Sequence, residues 1–166
     1  LRRQIEVNVI GQVAVTQAFL PQIRRARGRI VNMGSIGGRL STAYLGPYDA
    51  SKFAMEALTD SLRAELRPWG IEVSIVEPGS IATPIWEKSR AQARQPLDHL
   101  PAEARALYGP AIDAMFAAAE DAQRRGIPPE RVAKSVAHAL TSTRPRPRDL
   151  VGTDARIQAI VAHAPD

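Results

Sequence analysis

Two short β-branched runs on either side of one long helical pattern constrain this chain most. Arg29 to Met33 (RIVNM) is too short for a stable helix and runs straight into Gly34, so it reads as a buried strand. Ile71 to Glu77 (IEVSIVE) reads as a second buried strand, ended by Pro78-Gly79. Residues 48–67 between them carry the strongest helical signal in the chain, closed by Pro68-Trp69-Gly70. A strand, a helix and a second strand need a crossover, and crossovers of this length build parallel sheets.

The flanking segments extend that pattern. Ile5, Val9, Val13 and Phe19/Leu20 give residues 1–24 a helical spacing that ends in the basic cluster Arg24, Arg25, Arg27, with Gly28 as the stop. Segment 84–128 differs in character: it is rich in alanine and holds a long helical run, Ala102 to Arg125, so it reads as an inserted helical cap. Pro128-Pro129-Glu130 starts a further helix to about Leu140. Asp149 to Val151 is a candidate third strand, and Thr153 a candidate N-cap for a last helix, Asp154 to His163. The expected class is α/β: a parallel sheet of about three strands with helices on both faces, plus the cap.

Composition removes several functions. Twenty-two Lys and Arg against seventeen Asp and Glu give a net charge of +5, scattered along the chain, and no nucleic-acid partner is expected. The Arg24, Arg25, Arg27, Arg29 cluster has no recognition-helix motif beside it. With no cysteine, disulfides, thiol catalysis and cysteine-based zinc sites are excluded. His99, His138 and His163 lack metal-ligand spacing, so no metal is expected. No apolar run reaches the roughly 18 residues of a membrane span, and a soluble, cytoplasmic protein is expected. Leu1 stands inside a helical pattern, which predicts a piece of a longer chain.

In open α/β sheets, ligands sit beyond the carboxyl ends of the strands. Three features fall at that edge: Gly34-Ser35-Ile36-Gly37-Gly38 after the first strand, Tyr48 to Lys52 at the helix start, and Pro78-Gly79-Ser80-Ile81-Ala82-Thr83 after the second strand. Tyr48 and Lys52 are four apart and share a helix face. An ammonium beside a phenol favours the phenolate and is expected to lower its pKa. Ser35 supplies a hydroxyl for a carbonyl oxygen on which charge builds. Together these groups predict a carbonyl/alcohol site. Taken singly, each has a plainer reading as a surface contact or turn residue.

Ser35, thirteen residues later Tyr48, and four later Lys52 resemble the active-site pattern of the short-chain dehydrogenases/reductases. Asn8 in Val7-Asn8-Val9-Ile10-Gly11 is similar to that family's helix asparagine, and Pro78 to Thr83 to its nicotinamide-side loop. The resemblance is dense over 1–83 and looser over 127–156. Asp60 to Gly70, Glu77-Pro78-Gly79, and Arg148 with Gly152, Asp154 and Ala155 resemble the retinol and 17β-hydroxysteroid dehydrogenase branch. The resemblance implies a Rossmann-like doubly wound sheet and hydride transfer between NAD or NADP and a secondary alcohol or carbonyl. It implies Tyr48 as acid/base, Lys52 as its partner and ribose ligand, Ser35 polarising the carbonyl, and Asn8 holding a relay water. Pro78, Gly79, Ile81 and Thr83 would then position the carboxamide. The family's glycine-rich pyrophosphate loop has no counterpart here, and no G-x-G-x-x-G substitutes for it. At about 30 residues per βαβ unit, roughly 90 residues are expected to be missing, so this chain alone is expected to bind a dinucleotide poorly. Gly34 stands where many relatives carry serine.

The cap presents Ile85, Trp86, Leu97, Leu100, Tyr108, Met115 and Phe116, apolar walls suited to a bulky hydrophobic substrate. On the long helix, Met55, Leu58, Leu62 and Leu66 are expected to face the sheet. Ala50, Ala54, Ala57, Ser61 and Ala64 form a second stripe, expected to meet either helix 1–24 or a homo-oligomer partner. Two rival functions stay open. A serine hydrolase would use Ser35, but Met33-Gly-Ser-Ile-Gly37 falls one glycine short of the nucleophile-elbow motif. A non-catalytic binding or oligomerisation module would account for the absent phosphate loop.

Overall fold

The computed structural model describes residues 1–97 and 99–162. Among them, three parallel strands form one sheet in sequence order: β1 Arg29–Met33, β2 Glu72–Pro78 and β3 Arg148–Val151. Ile30 pairs with Val73, Asn32 with Ile75 and Glu77 with Leu150. β2 lies between two neighbours, and Val73, Ile75 and Val76 are at most 1% exposed, as expected of a strand covered on both faces. Each such side chain contributes about 1.5–3 kcal/mol by leaving water. β2 begins one residue later than the apolar run suggested. β3 begins one residue earlier, because Arg148 pairs with Ile75.

The first helical stretch is interrupted. α1 (Arg2–Ile5) passes into a π-helical segment, Glu6–Ile10, in which the Gly11 N–H donates to the Glu6 carbonyl five residues back; α2 (Gly11–Ala26) follows. Its stop falls on Arg27, which takes the left-handed conformation (φ 45°, ψ 47°) at a position where glycine is usual. Gly28 supplies the next N–H, to Ile23 O at 2.8 Å.

α3 (Gly46–Leu66) starts two residues before Tyr48, with Pro47 in its first turn, where a missing N–H leaves no carbonyl unpaired. Leu66 joins Ile30, Ile71 and Val73 in the core, with Leu20, Ile23 and Leu62 packed around them. The buried face of α3 also carries Asp49, Ser51, Lys52 and Thr59. Thr59 Oγ1 accepts from Asn32 Nδ2 of β1 at 2.8 Å and donates to Met55 O at 2.6 Å, so both polar groups are satisfied. Ala50, Ala57, Ser61 and Ala64 are exposed. That stripe is therefore not where the first helix packs. α3 meets the opening residues elsewhere, through Asn8 and Ser51.

α4 (Ile85–Leu97) and α5 (Ala102–Arg125) belong to a compact unit, Ser80–Pro129. Its base is a parallel bridge between Ile81 and Ile127, with Ile127 N–H on Ser80 O and Ala82 N–H on Ile127 O, both 3.0 Å. Arg90 pairs with Glu120 at 2.9 Å, and the Arg94 guanidinium lies 5.5 Å from the centre of the buried Phe116 ring. Ile85 and Tyr108 are exposed, which leaves a smaller apolar lining than the sequence suggested.

The other compact unit holds Leu1–Gly79 and the described residues from Glu130 onward. It includes α6 from Glu130 on (the helix is Pro129–Thr141) and α7 (Thr153–Val161). Gly152 (φ 118°, ψ 149°) occupies the N-cap position of α7; Thr153, expected there, is instead the first helical residue. The expected helix end at His163 lies outside the described residues.

Candidate active site

β1 leaves the sheet at Gly34, whose N–H still donates to Val76 O at 2.8 Å. Ser35 is extended (φ −171°, ψ 160°) and heads the 3-10 turn Ile36–Gly38, its Oγ accepting from Gly37 N–H at 3.1 Å. The turn lies directly on the start of α3. A Cβ on Gly38 would stand 3.0 Å from Lys52 O, and one on Gly37 would stand 2.8 Å from Asp49 Oδ1 and 3.1 Å from the Tyr48 ring. Asp49, 2% exposed, pins the far side of the loop by accepting from Thr42 N–H at 2.7 Å.

This seating brings Ser35, Tyr48 and Lys52 together. The Tyr48 phenol is held above its ordinary pKa, chiefly by burial; its hydrogen bond with Ser35 pulls it down and the Asp49 charge pushes it up. The Lys52 ammonium, 9% exposed overall, donates to Met33 O at 2.9 Å and lies 5.8 Å from the centre of the Tyr48 ring. Burial holds Lys52 below its usual value. The expected lowering of the phenol by Lys52 is not what this structure has: the ammonium is directed to the end of β1, and Ser35 is the group that lowers Tyr48.

Asn8 sits in the π-helical segment, a form common at functional sites. Its Nδ2 donates to Gln4 Oε1 (2.8 Å) and to Ser51 Oγ (3.0 Å), and Ser51 Oγ donates to Tyr48 O (2.6 Å). Asn8 is thereby joined to the tyrosine's backbone through Ser51. Pro78 ends β2, and Gly79 donates its N–H to Val151 O at 3.0 Å. A Cβ on Gly79 would overlap the Asp154 carboxylate. Ile81, Thr83 and Trp86 belong to the other unit, where the Trp86 indole N–H donates to Ile81 O at 2.7 Å. Asp49, Ser51 and Gln4 went unread in the sequence, where polar residues of a helix read as solvent-facing, yet Asp49 and Ser51 are buried. Glu77 carried a usable signal, as a charge inside an apolar strand.

The description of the short chain dehydrogenase family matches residues 1–94, and the chain belongs to that family. It is 43% identical over 150 residues to mitochondrial D-beta-hydroxybutyrate dehydrogenase of Bos taurus (86% of this chain, 44% of the relative). It is 38% identical over 161 residues to retinol dehydrogenase 5 of Mus musculus (94% of this chain, 50% of the relative). The chain thus spans about half the length of the curated relatives it matches. A short chain dehydrogenase/reductase from Burkholderia phymatum, solved in complex with NAD, superposes with a TM-score of 0.70 at 26% identity, covering 93% of this chain and 54% of that one. A short chain dehydrogenase from Burkholderia cenocepacia in complex with NADP gives 0.67 at 26% identity, covering 96% and 54%. The 166 residues of this chain offer no glycine-rich cradle for the pyrophosphate of such a cofactor. No helix of the described residues is long and apolar enough to cross a membrane, and they hold no cluster of metal-ligating side chains.

Proposed function

We propose that this chain carries the proton-transfer site of an NAD- or NADP-dependent oxidoreductase that interconverts a secondary alcohol and a carbonyl. The observation that carries the reading is the seating of the Ser35 turn on the start of α3, which puts Ser35 and the Tyr48 ring side by side at Gly37, with the Lys52 ammonium one helical turn away. The nicotinamide ring supplies the hydride acceptor or donor when bound. Tyr48 gives or takes the hydroxyl proton. Its raised pKa keeps it protonated at neutral pH, the form that donates during carbonyl reduction, and alkaline conditions favour it as base. Ser35 hydrogen-bonds the same substrate oxygen as charge builds there. Lys52 holds the nicotinamide ribose hydroxyls, and Pro78, Gly79, Ile81 and Thr83 the carboxamide. Asn8 orders a water that links Tyr48 to solvent.

The substrate is proposed to be hydrophobic, with Trp86 among the residues that bind it. The small-residue stripe of α3, exposed at Ala50, Ala57, Ser61 and Ala64, supports a second copy of the chain as the partner of helices 1–24 and 48–67. Replacing Tyr48 by Phe in the full-length protein tests the reaction: cofactor-dependent turnover of secondary alcohols should fall by about 10²–10⁴, with NADH binding retained. Undiminished turnover would refute the reading. Were the wild-type protein to bind no NADH at all, a non-catalytic module would be the better account.

A further inference from the structure

Beneath the Ser35 turn lies a charged cluster that the proposed reaction does not use. Glu77 of β2 is 0% exposed, and both its oxygens are held by Arg39, by Nε at 2.5 Å and Nη2 at 3.1 Å. Arg39 closes the turn that Ser35 opens, its own N–H on Ile36 O at 2.9 Å. Glu56, one turn beyond Lys52 on α3, is close enough to feel the Glu77 charge. Glu56 Oε2 accepts from Arg148 Nε of β3 at 3.2 Å, whereas Oε1 is buried without a donor. Around the pair, Arg148 binds both Glu56 and Asp60, Lys52 donates to Met33 O, and Asp154 of α7 lies against Gly79.

Two carboxylates facing each other out of water strongly disfavour double ionisation. A proton on Glu56 turns Oε1 into a donor and gives it Glu77 as acceptor, which satisfies both groups while leaving Glu77 charged for Arg39. We propose that Arg39, Glu77 and Glu56 are positioning residues that hold Ser35 against Tyr48, pinned by one proton shared between the two glutamates. The proposal rests on Ser35 and Tyr48 forming the reacting site. Burial and the neighbouring Glu77 charge raise the Glu56 carboxyl from 4.5 to about 7. The pin is therefore whole in acid and is lost as pH rises through about 7, the proton passing to water. The second negative charge then competes for Arg39 and Arg148, and the turn loosens.

Amide hydrogen exchange of residues 35–40 in the full-length protein, corrected for intrinsic rates, tests this with neither cofactor nor substrate present. Protection in the wild type should be about tenfold lower at about pH 8.5 than at about pH 5.5. Glu56→Gln, whose amide donates to Glu77 without ionising, should show equal protection at both. Arg39→Ala should lose protection at both and lower kcat about tenfold, with KM for the cofactor little moved. Wild-type protection that is the same at both pH values, or a pH dependence that persists in Glu56→Gln, overturns the proposal. Should Arg39→Ala not fold, Glu56→Gln decides alone. An inactive wild-type protein whose exchange still changes with pH, and ceases to do so in Glu56→Gln, refutes the proposed reaction and upholds the pin.

Discussion

Ser35 pulls down a Tyr48 pKa that burial and Asp49 raise, and in the proposed reaction it donates to the substrate oxygen. Ser35→Ala removes both. If the phenol is the base in alcohol oxidation, as proposed, the rate rises with pH through its ionisation. Losing the Ser35 bond raises that pKa, and the alkaline limb should move to higher pH. In addition, kcat should fall by about 10²–10³ through the lost donor to the substrate oxygen. A pH–rate profile measures both, and an unmoved limb would contradict the role given to Ser35. Ser35, Tyr48 and Lys52 stood out in the sequence only jointly, through a combined spacing that resembles a known family's, since each taken singly has a plainer reading. The direction of the Tyr48 shift was not. Helical spacing places Lys52 beside Tyr48, but the Met33 carbonyl that claims the ammonium is brought there only by the sheet.

At the scale of elements, the contact between the Ser35 turn and α3 requires glycine. Gly38 stands so close to the Lys52 carbonyl that an added methyl would sit 3.0 Å from a backbone oxygen locked in a helix. Gly38→Ala should destabilise the protein by about 1–3 kcal/mol through overpacking, and thermal unfolding would register it; an unchanged Tm would mean that the turn is free to move off the helix. The strands and the long helix were readable from their apolar runs and their Gly and Pro punctuation. The π-helical widening at Asn8 was not, since Glu6 to Ile10 contains neither residue. Arg27 in the left-handed region, and Gly152 in place of Thr153 as the α7 cap, show the same limit. A cap depends on where the preceding strand or helix ends, and composition locates that end only to within a residue or two.

For the whole molecule, the small-residue face of α3 was legible in the sequence, whereas the Glu56–Glu77 cluster was not. Arg39 and Glu77 are 38 positions apart, and only the turn's seating over β2 makes them partners. Alanine exposed at 50, 57 and 64 has no evident use within this chain, and a second copy would bury it. Ala57→Glu in the full-length protein should therefore lower the mass found by sedimentation to that of a smaller assembly, and an unchanged mass would remove the seam.

The central claim is that Tyr48 moves the proton in a hydride transfer. It is tested most directly by incubating full-length wild type and Tyr48→Phe with a secondary alcohol deuterated at its carbinol carbon, together with NAD or NADP, and weighing the reduced cofactor. One deuterium transferred by the wild type, and almost none by Tyr48→Phe, is the result predicted. Equal transfer by both proteins would contradict it.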